Sequence, residues 1–146
     1  MTLSSSKVEY ALIALLDLAS QQEKDSLLTV SAIATSQGIP ARYLDQILTI
    51  LRHSGIVNSQ RGAKGGYVLA RPPWQITLLE IVSSLEGNNG SNKGVFSDSQ
   101  TLEKTVVLDI LQQAEKAYYS VLGSYTLDDL YQQRNAYKQQ NPMYYI

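Results

Sequence analysis

Residues 39–70 read IPARYLDQILTILRHSGIVNSQRGAKGGYVLA, and the order of patterns in this stretch decides the fold. Leu44, Ile47, Leu48 and Leu51 recur at i, i+3, i+4 and i+7, the spacing that lines one face of an α-helix with apolar side chains. Arg42, Asp45, Gln46, Thr49, Arg52 and His53 fall on the other face. Pro40 suits the first position of this helix, where its missing N–H costs nothing, and Gly55 ends it. Two short strands follow, 56–60 and 67–70, joined by Arg61-Gly62-Ala63-Lys64-Gly65-Gly66. Three glycines and two cations there make a positively charged hairpin tip.

Outward toward the N-terminus, Ser4, Ser5 and Ser6 offer caps for a first helix of roughly four turns, with Val8, Leu12, Leu15, Leu16 and Ala19 as its apolar stripe. After a polar connector, residues 27–30 are expected as a short strand. Ser31 then caps a short helix through Ala32, Ile33 and Ala34, which Gly38 stops.

Toward the C-terminus, Pro72 and Pro73 punctuate the chain, and Thr77 with Glu80 forms a capping box for a helix ending near Glu86 and Gly87. Residues 87–100 are rich in Gly, Asn and Ser and are expected as a mobile loop. A long helix spans about 101–122, with Leu102, Val106, Ile110, Ala114, Ala117 and Val121 in one stripe and Val107, Leu111, Tyr118 and Leu122 beside it. That band is wider than one contact face requires, so it predicts a second partner surface. Thr126 caps a final helix carrying Leu127, Leu130 and Tyr131, and the tail at Tyr144 and Tyr145 is expected to be loosely held. No internal repeat is visible. The fold class that follows is mainly α with one small β-hairpin. Its divisions are a helix-turn-helix unit with a wing (1–86), a loop (87–100) and a helical region (101–146).

Composition narrows the chemistry. The 146 residues, 44% hydrophobic and 17% charged, suffice for an ordinary packed core. The chain has no cysteine and one histidine, His53. Disulfides, thiolate-bound zinc and a Cys-ligated iron–sulfur cluster are therefore excluded, and His-dependent catalysis is poorly served. The N-terminal stretch is not a signal peptide by its pattern, since Glu9 and Asp17 interrupt it and no basic segment precedes it. It reads as an amphipathic helix of a cytoplasmic protein, and no apolar run is long enough for a membrane span. The formal net charge is −1, but its distribution is uneven. Residues 38–74 hold five basic side chains (Arg42, Arg52, Arg61, Lys64, Arg71) against Asp45 alone, a local +4. From Pro73 onward five bases face eight acids, a local −3. One region is thus marked for a polyanion.

Helix, short helix, turn, helix and hairpin in this order make a winged helix-turn-helix, whose third helix enters the DNA major groove by its N-terminal half. Arg42 is a candidate for guanine or a phosphate, and Gln46 for adenine or another base edge. Asp45 either accepts from cytosine N4 or orients Arg42. Arg61 belongs in or near a minor groove, where a narrow groove attracts guanidinium. Lys64 and the N–H groups of Gly62, Ala63 and Gly65 are candidate phosphate contacts. The turn departs from the G-x-x-x-x-G-K-[ST] phosphate loop, so nucleotide hydrolysis finds no support. No nucleophile–base pair can be nominated, and the expectation is not an enzyme. His53 caps carbonyls or meets a phosphate. Trp74 and the ten tyrosines are assigned to packing and interfaces.

The stretches SSKVEYALIALLDLA, IPARYLDQILTILRHSGIVNSQRGAKGGYVLARPP and ITLLEIVSSLEG resemble the Rrf2 family of bacterial regulators, of the IscR, NsrR and CymR kind, over about residues 5–87. The resemblance implies a homodimer joined through the long helix, with Leu102, Val106, Ile110, Leu111, Ala114, Ala117, Tyr118 and Val121 at the interface. It implies DNA contacts at Pro40, Ala41, Arg42, Tyr43, Asp45 and Gln46, at Arg61 and the wing, and at the backbone by Lys7 and Tyr10, with Ser31 counted among them. The site expected is a pseudo-palindrome of double-stranded DNA whose half-sites lie about 34 Å apart per helical turn. Many relatives hold an iron–sulfur cluster on three cysteines before the long helix. Here that loop is GNNGSNKGVFSDSQ, with neither cysteine nor histidine, so no cofactor is expected and a partner protein becomes a candidate signal source. Two other readings use the same scaffold: a protein-interaction module without DNA contact, and a regulator with a small-molecule pocket between the winged unit and the long helix.

Overall fold

The computed structural model describes residues 5–22, 26–62, 65–87 and 101–141. Helix α1 (Ser6–Gln22) is followed by α2 (Val30–Gln37), α3 (Ala41–His53), the strands β1 (Val57–Gln60) and β2 (Gly66–Leu69), a 3-10 turn (Pro73–Gln75), α4 (Leu78–Glu86), α5 (Leu102–Ser124) and α6 (Leu127–Gln140). The strands form one antiparallel pair, with Val57 opposite Leu69 and Gln60 opposite Gly66.

Helix α1 runs through the middle, packed against α2, α3, α4, α6 and β2. Its buried side chains are Ala11, Ala14, Leu15, Leu18 and Ala19. Of the stripe expected from the sequence, Leu15 and Ala19 lie on this face, while Val8, Leu12 and Leu16 are only half-buried to one side of it. Surrounded by neighbours, α1 buries three alanines, which let its neighbours come close, together with Leu15 and Leu18. Ser5 caps the helix by accepting from the Val8 N–H at 3.2 Å.

The cap of α2 is Thr29 rather than Ser31: its hydroxyl accepts from the Ala32 N–H at 3.0 Å, and Ser31 lies exposed in the first turn. The strand expected at 27–30 contracts to one bridge. Leu28 exchanges two backbone hydrogen bonds with Tyr67, and Thr29 then turns the chain into α2. Gly38 and Gly55 stop α2 and α3 at φ 68° and 77°. At the second stop, Ile56 N–H reaches back to the Leu51 carbonyl at 2.9 Å. Pro40 stands one residue before α3, its carbonyl receiving the Leu44 N–H at 3.0 Å.

Beyond the hairpin, Thr77 and Glu80 make the reciprocal capping box that their spacing predicts, and Thr126 with Asp129 makes a second at α6. Arg71 fastens the hairpin exit to α4, donating to the Glu80 carboxylate and to the Gln75 carbonyl, each at 3.1 Å. The start of α6 is stitched beside this point. Leu127 N–H donates to the Ile76 carbonyl at 2.8 Å, and Leu78 N–H to Tyr125 at 3.0 Å. Leu127 is fully buried in the same core as Leu15, Ile33, Leu44, Ile47, Leu48, Leu51 and Ile81. Helix α5 is the exception to this packing, for none of its residues is buried.

Candidate nucleic-acid interface

Helix α3 has two unlike faces. Leu44, Ile47, Leu48 and Leu51 are fully buried, which fixes the rotation of the helix about its axis. Arg42, Asp45, Gln46, Arg52 and His53 are consequently exposed, with Thr49 half-buried among them. Arg42, Gln46, Thr49 and His53 follow i, i+4, i+7 and i+11 along one solvent-facing line, with Asp45 and Arg52 flanking it. The Thr49 hydroxyl donates to the Asp45 carbonyl at 2.8 Å and occupies itself within the helix. Among the described residues, neither the Arg42 nor the Gln46 side chain forms a hydrogen bond or ion pair, so both keep their donors for an external partner.

At the helix entrance Pro40 and Ala41 are exposed, while Tyr43 is half-buried. The Tyr43 ring meets Tyr10 of α1 edge-on, centroids 5.6 Å apart with planes at 89°. These two tyrosines were singled out separately in the sequence; the structure joins them as a brace between α1 and α3. Lys7 is half-buried one turn earlier on α1. Aspartate 17 of α1 accepts from Ser36 of α2 at 3.0 Å, a second tie within the helix-turn-helix.

At the wing, Arg61 and Gly62 are exposed and Gly65 is half-buried, its N–H donating to the Gly62 carbonyl at 2.9 Å. Ala63 and Lys64 lie outside the described residues. Gly66, at φ 156°, passes so near the Leu28 bridge that a Cβ would stand 2.7 Å from the Leu28 carbonyl oxygen. Glycine is required at that crossing, and it holds the wing against the connector before α2.

On α5, Leu102, Val106, Ile110, Leu111 and Val121 are exposed by between 55% and 78%, as is Val107, and Ala114 and Ala117 are exposed beside them. Tyr118 is half-buried. Sequence reasoning missed the neighbouring contact: the Tyr119 hydroxyl donates to Glu86 Oε2 at 2.7 Å. This carboxylate pushes the Tyr119 phenol up to about 12, with burial adding to the effect. Burial, then the Glu86 charge, raises Tyr118 as well. The pair is 33 residues apart, so no periodicity announces it. The expected loop at 87–100 lies outside the described residues beyond Gly87, as do Tyr144 and Tyr145.

The model of the Rrf2 family, described as an iron-dependent transcriptional regulator, matches residues 4–133. The chain belongs to the Rrf2 family. It is 40% identical over 127 residues to slr0846 of Synechocystis sp., named as a candidate HTH-type transcriptional regulator, covering 87% of this chain and 86% of that one. It is 33% identical to the HTH-type transcriptional regulator CymR of Bacillus subtilis, covering 97% and 98%. Among solved structures, T. potens IscR superposes with a TM-score of 0.73 at 33% identity, covering 97% of this chain and 96% of that one. These similarities, with the helix order above, make the protein a winged helix-turn-helix of a family of DNA-binding transcriptional regulators rather than of enzymes.

The family description names iron, and the donor set here does not fit an iron–sulfur cluster. The chain has no cysteine. Among the described residues, no three or more His, Asp or Glu side chains gather closely enough to hold a metal ion. Among them also, no helix is long and apolar enough to cross a membrane.

Proposed function

We propose that this protein is a sequence-specific transcriptional regulator that binds double-stranded DNA as a homodimer in the cytoplasm and represses by occupying a two-fold operator. The observation that carries the reading is the divided α3: a fully buried apolar face opposite an exposed face on which Arg42, Asp45 and Gln46 stand near the helix start. Bidentate side chains at that end of a helix are suited to base edges in the major groove. Arg61 on the wing suits a neighbouring groove or phosphate, with Gly62 and Gly65 supplying backbone donors; Ala63 and Lys64 complete the wing by sequence. Pro40, Ala41, Tyr43, Ser31, Lys7 and Tyr10 are assigned to the rim of the same contact.

The apolar side of α5 supports the dimer. Leu102, Val106, Ile110, Leu111, Ala114, Ala117, Tyr118 and Val121 form a surface that this chain leaves to water, and burying it against a second copy gains the hydrophobic stabilisation that solvent denies. In this reading residues 1–86 read DNA, 87–100 connect, and 101–146 carry dimerisation. Repression needs no cluster bound to cysteine.

The test is selection of fragmented source genome by the purified protein at near-physiological salt, followed by titration of the enriched site. The expected result is a two-fold dyad bound with an affinity that falls linearly, on logarithmic axes, as salt rises. Failure to enrich any dyad, with the chain folded, overturns the regulator reading and directs the search to protein partners.

A further inference from the structure

Among the described residues, the packing of helix α5 on the rest of the chain is concentrated at its C-terminal end. Its 23 residues include none that is buried, and from Leu102 to Ala117 only Leu108 is even half-covered. The hold is concentrated in the last two turns. Leu122 packs on the core, a Cβ at Gly123 would sit 3.4 Å from Leu79, and Tyr125 is hydrogen-bonded to Leu78. Those contacts cluster around a single point. Tyr119, one turn earlier than Gly123, adds the second point through its 2.7 Å bond to Glu86 on α4.

Glu86 stands where local preference opposes it. It is the last residue of α4, whose carbonyl end carries partial negative charge and has no basic residue nearby in the helix. A carboxylate there weakens the helix unless it does something else. What it does is accept a short, charge-assisted hydrogen bond from a half-buried phenol.

We propose that Tyr119 and Glu86 are positioning residues that set the angle between α5 and the DNA-reading unit, and thereby the spacing of the two recognition helices. The inference rests on the homodimeric DNA-binding reading above. From Tyr119 to Leu102 the helix extends about 25 Å, so a tilt of about 10° shifts its far end by about 4 Å, more than the roughly 3.4 Å rise of one base pair. A joint held at one point lets a dimer sample several half-site spacings; a joint held at two selects one. The chain fixes that angle with a tyrosine and a carboxylate, groups that require neither metal nor thiol.

Two measurements test it on Tyr119→Phe, Glu86→Ala and Glu86→Gln, the last of which keeps an acceptor oxygen. The first is affinity for dyads whose half-sites are moved apart or together by one base pair, with the dimer verified by sedimentation. The wild type and Glu86→Gln are expected to favour one spacing by tenfold or more. Tyr119→Phe and Glu86→Ala are expected to lose most of that preference while remaining dimeric and binding an isolated half-site as before. The second needs no DNA: spin labels on Asn58→Cys and Glu103→Cys, in a chain free of native cysteine, report the distance from wing to α5 tip when labelled protein is diluted into unlabelled. One narrow distance is expected, broadened by Tyr119→Phe and by Glu86→Ala and kept narrow in Glu86→Gln, which retains an acceptor. An unbroadened distance in Tyr119→Phe overturns the positioning role whether or not DNA binds, as does an unchanged spacing preference or loss of the dimer. Absence of any dyad binding by the wild type, with the distance behaving as expected, overturns the regulator reading alone.

Discussion

Arg61 and Glu80 show how differently two charged residues serve one fold. Arg61 is exposed at the base of the wing turn, and its charge is directed outward. Arg61→Ala is expected to weaken binding to the selected dyad by about 1–3 kcal/mol without lowering the melting temperature, as for loss of a specific contact. Equal affinity in a filter or mobility titration removes Arg61 from the interface. Glu80 faces inward along the chain. The Thr77 N–H it accepts holds its carboxyl below the usual 4.5, against the opposing effect of burial, with Arg71 assisting. A carboxyl lowered on folding contributes stability above its unfolded pKa and loses it as pH falls through the folded value. Glu80→Gln is therefore expected to melt lower than the wild type at pH 7, with the gap closing as pH drops below 4.5. A gap that persists at pH 3 would assign the effect to shape rather than charge. Both residues were visible in the sequence, since the capping box is a local pattern and an arginine in a glycine-rich turn has little to pack against. The Tyr10–Tyr43 brace was not, because nothing in spacing says that two rings on separate helices will meet.

At the scale of elements, α4 was legible because apolar period, cap and stop agree, α3 by its apolar period and the Gly55 stop, and α6 by its Thr126 cap. Helix α1 was legible as a helix and misread in rotation. Leu15 and Ala19 of the expected stripe are buried, but hydrophobic size also selects Val8, Leu12 and Leu16, whereas the face enclosed by five neighbours is completed by Ala11, Ala14 and Leu18. The start of α2 was misplaced by two residues because Thr29 and Ser31 are both good caps, and only the Leu28–Tyr67 bridge decides between them. Helix α5 reads in sequence as a helix whose apolar band is wider than one contact face requires, and among the described residues that band is largely exposed. Ile110, 59% exposed on that side, is the place to test what covers it. Ile110→Glu is expected to leave the helical circular dichroism signal intact and to convert a dimer to monomer in sedimentation, with loss of dyad affinity at least tenfold. A sedimentation coefficient identical to the wild type would move the dimer interface elsewhere.

Across the whole molecule, the surface proposed to read DNA depends on a residue far from it in the chain. Leu127 shares a core with Leu44, Ile47 and Leu48, which fix the rotation of α3, and its backbone is hydrogen-bonded to Ile76. Leu127→Ala is expected to cost about 2–5 kcal/mol, the range for a fully buried leucine, read as a lowered denaturation midpoint. Less than about 1 kcal/mol would show that the core closes without α6. The same closure has a consequence for how the protein comes into being. A ribosome that has delivered α1 to β2 has made every residue proposed to touch DNA, yet the hydrophobic centre beneath them still lacks its last wall, which arrives only with residue 127. Unfinished or clipped chains ending before that point would expose the seam at Ile76 and Leu78, and would be proteolysed faster than they settle on an operator. On the proposed reading, operator occupancy would then count completed molecules, and a cell would be spared competition from fragments that carry α3 but not the helix proposed to dimerise.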